Sequence, residues 1–301
     1  MARRIFSFAD SFVIIRYHYQ GMKILAPAKI NLSLRVVGRR PDGFHDIETL
    51  MVGISLADEL ELVTTDGPGL ALTCNDPGVP TDESNLVIKA AQCFFAETGL
   101  EPKARFHLIK RIPWGAGLGG GSSDAAAALR LLDQAHDTQL GVARLEELAG
   151  RIGSDVAWFV RGQPAVCRGR GELVEPLKDP LPTLRVFLLK PPFGVPTPWA
   201  YRRWSESRPP PAIPRDVDGV PLFNDLESPV FEKFILLPVL KHWLEAQPGV
   251  LAATMSGSGS TVFAVLQPEA NAEALADNAR SMFGPTLWTH ECSTLPACAL
   301  C

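Results

Sequence analysis

Pro113-Trp114-Gly115-Ala116-Gly117-Leu118-Gly119-Gly120-Gly121-Ser122-Ser123-Asp124-Ala125-Ala126 is the stretch on which the reading of the chain turns. Phosphate is densely negative, and backbone N–H groups can close around it only where no Cβ intervenes, a freedom that glycines supply. A strand pattern at residues 105–110 leads into the stretch, and an alanine-rich helix, expected over residues 123–135, leads out of it. The first turn of such a helix presents unpaired N–H groups and the positive end of its dipole to the same anion. Ser122 and Ser123 can cap that helix and offer hydroxyls to phosphate or to Mg²⁺, with no residue assigned as a metal ligand.

Other glycine-rich segments fit less well. A flexible linker would not be flanked so closely by strand and helix patterns. Gly115, Gly117 and Gly120 satisfy the dinucleotide spacing, yet the acids that follow, Asp133 and Asp137, close the helix instead of ending a second strand. A Walker A loop needs Lys followed by Ser or Thr after its last glycine, and the catalytic and metal-binding loops of protein kinases are missing.

Before this loop, strands are expected over residues 22–37, with a break around Pro27, and over 59–64 and 70–74, with a turn at 39–43. Ser84 is the expected cap of a helix over 85–97, which Gly99 ends. After the loop come a helix over 142–151 and then Ile152-Gly153-Ser154-Asp155-Val156, with Asp155 just past a helix end. A second region opens near Leu181 with a strand over 184–190. Thr197 then caps a short helix with Pro198 at its first position. Residues 205–221, rich in Pro and charge, read as a mobile surface loop. Strands at 251–255 and 261–266 enclose a second small-residue loop, Met255-Ser256-Gly257-Ser258-Gly259-Ser260, and two further helices complete the region. Strands and helices grouped in this way give an α+β class.

Composition narrows the function. The chain has 301 residues, 46% hydrophobic and 21% charged, with a net charge of −4, so it can build a sizeable core and lacks the basic stripe of a nucleic-acid binder. Apolar runs end before the roughly 18 residues of a membrane span, and the expected setting is a reducing cytoplasm. Cys74, Cys93 and Cys167 sit in apolar contexts as core residues. His290, Cys292, Cys298 and Cys301 cluster without the paired spacing of a metal site.

Taken together, the segments resemble the GHMP kinase superfamily, named for galactokinase, homoserine, mevalonate and phosphomevalonate kinases. Its Pro-x-x-x-Gly-Leu-Gly-Ser-Ser loop stands here as Pro113 to Ser123, expanded by two glycines. That expansion is similar to the branch acting in non-mevalonate isoprenoid precursor synthesis. So are Pro27-Ala28-Lys29-Ile30-Asn31-Leu32, Arg40-Pro41-Asp42-Gly43-Phe44-His45, Lys110-Arg111-Ile112-Pro113, Gly153-Ser154-Asp155-Val156, Pro196-Thr197-Pro198 and Met255-Ser256-Gly257-Ser258-Gly259.

The resemblance implies ATP- and Mg²⁺-dependent phosphorylation of the 2-hydroxyl of a small molecule, 4-(cytidine 5′-diphospho)-2-C-methyl-D-erythritol. It makes Asp155 the catalytic base and Lys29 its cationic partner. It places Asn31, Phe44, His45 and Thr197 at the substrate, with Phe44, where the family often has Tyr, stacking on cytosine. The nucleotide contacts would be Pro113, Trp114, Gly115, Ala116, Gly117, Leu118, Gly119, Gly120, Gly121, Ser122 and Ser123, with Asn85 and Lys110 near adenine. The implied fold has two α+β domains, the first like domain 2 of ribosomal protein S5, with the active site in the cleft between them. The expected division is an extension over 1–21, an ATP-binding domain over 22–180, a second domain over 181–293 and a tail over 294–301. The alternatives are a related kinase of another alcohol, such as homoserine, and a catalytically silent nucleotide-binding relative. A dinucleotide oxidoreductase is the most distant reading.

Overall fold

Alternation of small apolar and polar side chains along residues 28–33 is what lets one strand serve two layers. In the computed structural model, which describes residues 15–16, 21–63 and 67–296, β1 (Ile15–Arg16) pairs with the start of the long β2 (Met22–Arg39). Ala28, Ile30 and Leu32 are buried on one face of β2, while Lys29, Asn31 and Ser33 point to the other. The expected break at Pro27 is instead a register shift between Pro27 and Lys29 inside a continuous strand, a bulge that accommodates a residue with no N–H to donate.

β2 runs antiparallel to β3 (His45–Val63), most of whose length was not expected as strand. β4 (Gly69–Cys74), α1 (Leu86–Thr98) and β5 (Lys103–Ile109) follow, and β5 pairs with β3 and β4. The expected cap of α1 moves by one residue: Asn85, whose carbonyl oxygen accepts from Val87 N at 2.8 Å, is the cap, and Ser84 bonds Asp82 instead. Next come α2 (Gly120–Ala135), α3 (Gly141–Ile152), α4 (Ser154–Arg161) and an unanticipated hairpin of β6 (Ala165–Gly169) and β7 (Leu173–Pro176) on β3.

The second region contains β8 (Arg185–Lys190), α5 (Thr197–Ser207), β9 (Arg215–Val217) and β10 (Val220–Asn224). It continues with α6 (Glu227–Phe231), α7 (Leu236–Glu245), β11 (Val250–Met255), β12 (Val262–Leu266), α8 (Ala272–Phe283) and β13 (Trp288–Ser293). Helix α5 is capped by Pro196, so Thr197 is its first residue and not its cap. The loop expected over 205–221 is largely ordered structure. Asp218 and Gly219, both at positive φ, make a two-residue turn between β9 and β10, a hairpin signal that the surrounding prolines and charges mask. β10 then pairs in parallel with β2, so this part of the second region completes the first sheet.

The first sheet carries helices α1–α4 on one face and packs its other face on the sheet β11-β12-β8-β13; α5, α7 and α8 pack with the second sheet's outer side. Thr294 and Leu295 are tied to Ile54 and Gly53 of β3, whereas residues 297–301, with Cys298 and Cys301, lie outside the described residues, as does most of the expected 1–21 extension. His290 and Cys292 lie on β13, and no group of three or more metal-ligating side chains occurs among the described residues.

Helix α2 is the central element of the helical layer. Ala125, Ala126, Ala127 and Ala128 are all fully buried, and their small side chains let α2 approach β2, α1 and α4 closely. Below its first turn lies a buried charge cluster. The Lys110 ammonium pairs with Asp58 and, at 2.8 Å, with Asp124. Asp58 also accepts from Arg111 N at 2.5 Å and from Ile112 N at 2.9 Å, fixing the chain as it leaves β5 for the glycine loop. Burial pushes the Asp124 carboxyl up to about 8 against the pull of Lys110. Burial alone would lower the Lys110 ammonium, but Asp124 and Asp58 hold it above its ordinary value.

Two expectations follow. Ala126→Leu overpacks the seam and should lower the unfolding free energy by about 1–3 kcal/mol, read from denaturant midpoints at constant m-value. For Asp124 the folded pKa of about 8 exceeds the unfolded 3.8, so between these values the folded state holds the extra proton and stability falls as pH rises. The unfolding free energy of Asp124→Asn relative to wild type should therefore move in the variant's favour as pH is raised from about 5 to about 8. A difference independent of pH would contradict this. The raised Lys110 changes stability only above its unfolded value of 10.5, outside that window.

Candidate active site

Glycine at 117 is required by contact, and at 257 it is favoured by the backbone, whose φ is +56°. A Cβ on Gly117 would sit 2.4 Å from the Ser256 carbonyl oxygen and 3.0 Å from that of Gly259, and Gly117 itself has φ +76°. The Ser256 hydroxyl donates to Gly117 O at 3.1 Å, and Asn31 N donates to that hydroxyl at 3.4 Å. The two small-residue loops thus meet backbone to backbone at the end of the Lys29 strand segment.

Three devices fix Lys29. The bulge after Pro27 re-aims it, its N–H donates to Leu118 O at 2.9 Å, and its ammonium donates to Asn31 Oδ1 at 2.7 Å. The Asn31 amide in turn donates to Thr49 Oγ1 at 2.7 Å, and Thr49 donates to Ser33 O at 2.6 Å, so the amide orientation is set by neighbours on β2 and β3. Asp155 lies in the first turn of α4, two residues past the extended Gly153 that links it to α3. Val156, Trp158, Phe159 and Val160 are buried, which anchors α4 and leaves the Asp155 side chain 39% exposed. Its Oδ2 stands 3.7 Å from Lys29 Nζ, close enough for charge attraction and too far for a good hydrogen bond. Phe159 packs where a Cβ on Gly119 would be, 2.8 Å away, linking the Asp155 helix to the glycine loop.

The helix after the loop begins earlier than expected. α2 starts at Gly120, and Gly119, at φ +71°, is its cap with no side-chain capping bond. The serines expected to cap it lie inside its first turn. A side-chain cap would fill the space at the open amides, so a glycine cap keeps an anion site clear. Ser122 lines the cavity in front of this turn. Ser123 is fully buried, and its Oγ, like Asp124 Oδ1, has no hydrogen-bond partner among the described residues.

That cavity, about 1040 Å³, is bounded by Lys29, Asn31, Gly117, Gly119, Ser122 and Asp155 at one end. Phe44, His45, Thr197, Tyr201 and Ser258 extend it. Phe44 is 55% exposed, with the Arg170 guanidinium 4.8 Å from its ring centroid. His45 stacks on Tyr201 at 5.3 Å and meets Ser205 Oγ at 2.5 Å. Burial, and then the nearby Arg39 charge, hold the His45 imidazole below its ordinary value, so it is neutral around pH 7 and able to make directional hydrogen bonds. Desolvation, and then Asp155, raise the Tyr201 phenol. Thr197 Oγ1 lies 2.8 Å from Ser258 Oγ, joining α5 to the second loop.

Of the expected nucleotide contacts Gly117, Gly119 and Ser122 line this cavity, whereas Asn85, Lys110, Pro113, Trp114, Gly115, Ala116, Leu118, Gly120, Gly121 and Ser123 do not. The Asn85 side chain caps α1 and donates to Pro80 O at 2.6 Å, and Lys110 belongs to the buried charge cluster. Trp114 is 68% exposed beside the turn at Gly78. Tyr201, Arg170 and Ser258 were not anticipated at the site; Ser258 could have been found from its place in the second small-residue loop, while Tyr201 and Arg170 lie in segments with no distinctive spacing.

Comparisons with known proteins place the chain in a family. The GHMP kinases N terminal domain model matches residues 85–163, and the GHMP kinases C terminal model matches residues 221–284. The chain is 41% identical to 4-diphosphocytidyl-2-C-methyl-D-erythritol kinase of Methylacidiphilum infernorum over 87% of its own length and 93% of that protein. It is 36% identical to the Geobacter sulfurreducens kinase of the same name, over 89% and 99% of the two chains. A crystal structure of 4-(cytidine 5′-diphospho)-2C-methyl-D-erythritol kinase superposes with a TM-score of 0.74 at 34% identity, covering 90% of this chain and 99% of that one. Homoserine kinase from Cytophaga hutchinsonii shares the fold at 18% identity, with a TM-score of 0.65 and coverage of 93% and 96%. With two glycine loops meeting over a paired lysine and aspartate, and this likeness along most of its length, the chain belongs to the 4-diphosphocytidyl-2-C-methyl-D-erythritol kinases of the GHMP kinase family.

Proposed function

We propose that this chain transfers the γ-phosphoryl group of ATP to the 2-hydroxyl of 4-(cytidine 5′-diphospho)-2-C-methyl-D-erythritol. The observation that carries the reading is the Lys29–Asp155 pair, 3.7 Å apart, at the end of a cavity that also holds the open first turn of α2. Phosphoryl transfer asks a protein chiefly to position the reactants and to balance charge. Asp155 accepts the proton of the attacking hydroxyl, whose oxygen bonds to the γ-phosphorus as the bond to ADP breaks. Lys29, held by Asn31, keeps Asp155 oriented and balances negative charge as it develops.

The amides of the Gly119 to Ser122 turn receive the phosphates. Mg²⁺ would ride on those phosphates, as it commonly does. Ser122 is placed to reach it, and the hydroxyl of Ser123 in the same turn has no partner among the described residues. Phe44 offers an exposed aromatic face to the cytosine ring, and neutral His45 offers a hydrogen bond to its edge. Thr197, held by Ser258, faces the same cavity. Exposed Trp114, and Asn85 at the cap of α1 whose Leu86 lies against Gly121, supply the wall for adenine. Lys110 acts from beneath by fixing the turn. Residues 22–180 and 181–293 serve as the two domains, with β10 crossing back between them.

ADP release should occur with the cytidine substrate and not with homoserine or mevalonate. Asp155→Asn should reduce kcat by about 10³-fold while still binding ATP. Turnover of homoserine alone, or an undiminished mutant, would sink the assignment. Trp114→Ala should raise the KM for ATP by about 10-fold and leave that for the cytidine substrate unchanged; equal effects on both would place the adenine elsewhere.

A further inference from the structure

Asn224, the last residue of β10, is fully enclosed, 1% exposed, and has no place among the groups so far linked to the reaction. Its side-chain amide donates to Met255 O and to Gly257 O, each at 2.7 Å, while its carbonyl oxygen accepts from Leu226 N at 2.9 Å. Three hydrogen bonds therefore run from one buried side chain to the second glycine loop and to the chain leading into α6. Adjacent groups complete the attachment. Asp225 accepts from Val36 N at 2.9 Å and from Arg35 at 2.8 Å, locking this segment to β2. Glu227 Oε1 accepts from Met255 N and Thr254 Oγ1, both at 2.8 Å.

The loop so held abuts the catalytic pair. A Cβ on Gly257 would fall 3.3 Å from Asn31 Oδ1 and 3.5 Å from Lys29 Nζ, so the backbone of residue 257 walls the space in which the ammonium sits. Turning either carbonyl out of the grip of Asn224 would move that wall, and through Ser256 it would move Gly117. We infer that Asn224 is a positioning residue for phosphoryl transfer: by holding the carbonyls of Met255 and Gly257 it sets the second glycine loop against Lys29, Asn31 and Gly117.

The inference rests on the reading of Lys29 and Asp155 given above, and its test separates the two. Asn224→Asp keeps the shape, but burial against two carbonyl oxygens favours the protonated acid, which can donate to only one of them and leaves the other unheld. Purified Asn224→Asp and wild-type chains are compared at equal foldedness, judged by thermal melting. At pH 8 the variant should lose about 30-fold in kcat on the cytidine substrate with a smaller change in the KM for ATP. As pH rises and the introduced acid ionises, neither carbonyl is held, so the ratio of variant to wild-type kcat should fall further. Amide hydrogen exchange of peptides spanning residues 255–261 should be faster in the variant at pH 8, a readout that needs no turnover. A folded variant with wild-type exchange and kcat overturns the inference. So does a loss of kcat with exchange quickened evenly along the whole chain, since that is a generally weakened fold. If wild type itself fails to turn over the substrate, the functional reading falls, while the exchange comparison still decides whether Asn224 holds the loop.

Discussion

The site depends on the direct approach of two polypeptide backbones, at Gly117 on one side and Ser256 to Gly259 on the other. The 2.4 Å between a hypothetical Cβ at 117 and the Ser256 carbonyl leaves no room for any side chain. Everything else is arranged to make that approach possible. The bulge after Pro27 brings Lys29 under the loop, Phe159 packs against Gly119, and the Asn224 amide turns two carbonyls of the facing loop inward. Glycine in these loops has a steric task first, and the helix start at Gly119 without a side-chain cap goes with it.

Chemistry at the Lys29–Asp155 pair follows from unequal support. Lys29 is buried, held by Asn31 and by the pairing of its own strand. Asp155 projects from a short helix whose other side chains are core, and it keeps solvent access at 39%. A fixed cation beside a carboxylate that is anchored yet reachable suits a group that must meet an incoming hydroxyl. Cys167, beneath them, is pushed up to about 12 by burial and then by Asp155, which keeps a nucleophile close to the pair in its inert thiol form.

Much of this could be read from the chain. The glycine loop, the alternation from Ala28 to Ser33 and the α+β grouping declare themselves through local physics: close backbone approach, a two-residue period, and helix signals. Positions that depend on distant partners did not. Ser84 and Asn85 are equally good caps on paper, and only the Asp82 carboxylate, which takes up Ser84, decides between them. Ser122 and Ser123 look like caps until Gly119 adopts a positive φ and starts the helix earlier. Lys110 shows nothing in sequence of the two carboxylates, 52 and 14 residues away, that bury it. The Asp218-Gly219 hairpin was hidden by composition, because prolines and charges outweigh a two-residue turn when a window is averaged.

The parallel pairing of β10 with β2 also constrains how the chain is made. β2 is finished within the first 39 residues, yet its partner on that edge spans residues 220–224. During synthesis the N-terminal sheet therefore emerges with an open edge that stays unpaired for some 180 residues more, at the ordinary pace of elongation roughly ten to forty seconds. An open strand edge invites pairing with another chain. This half of the protein should be a customer of whatever guards nascent chains until β10 arrives, and a polypeptide cut short before residue 220 should be far less soluble than its composition suggests.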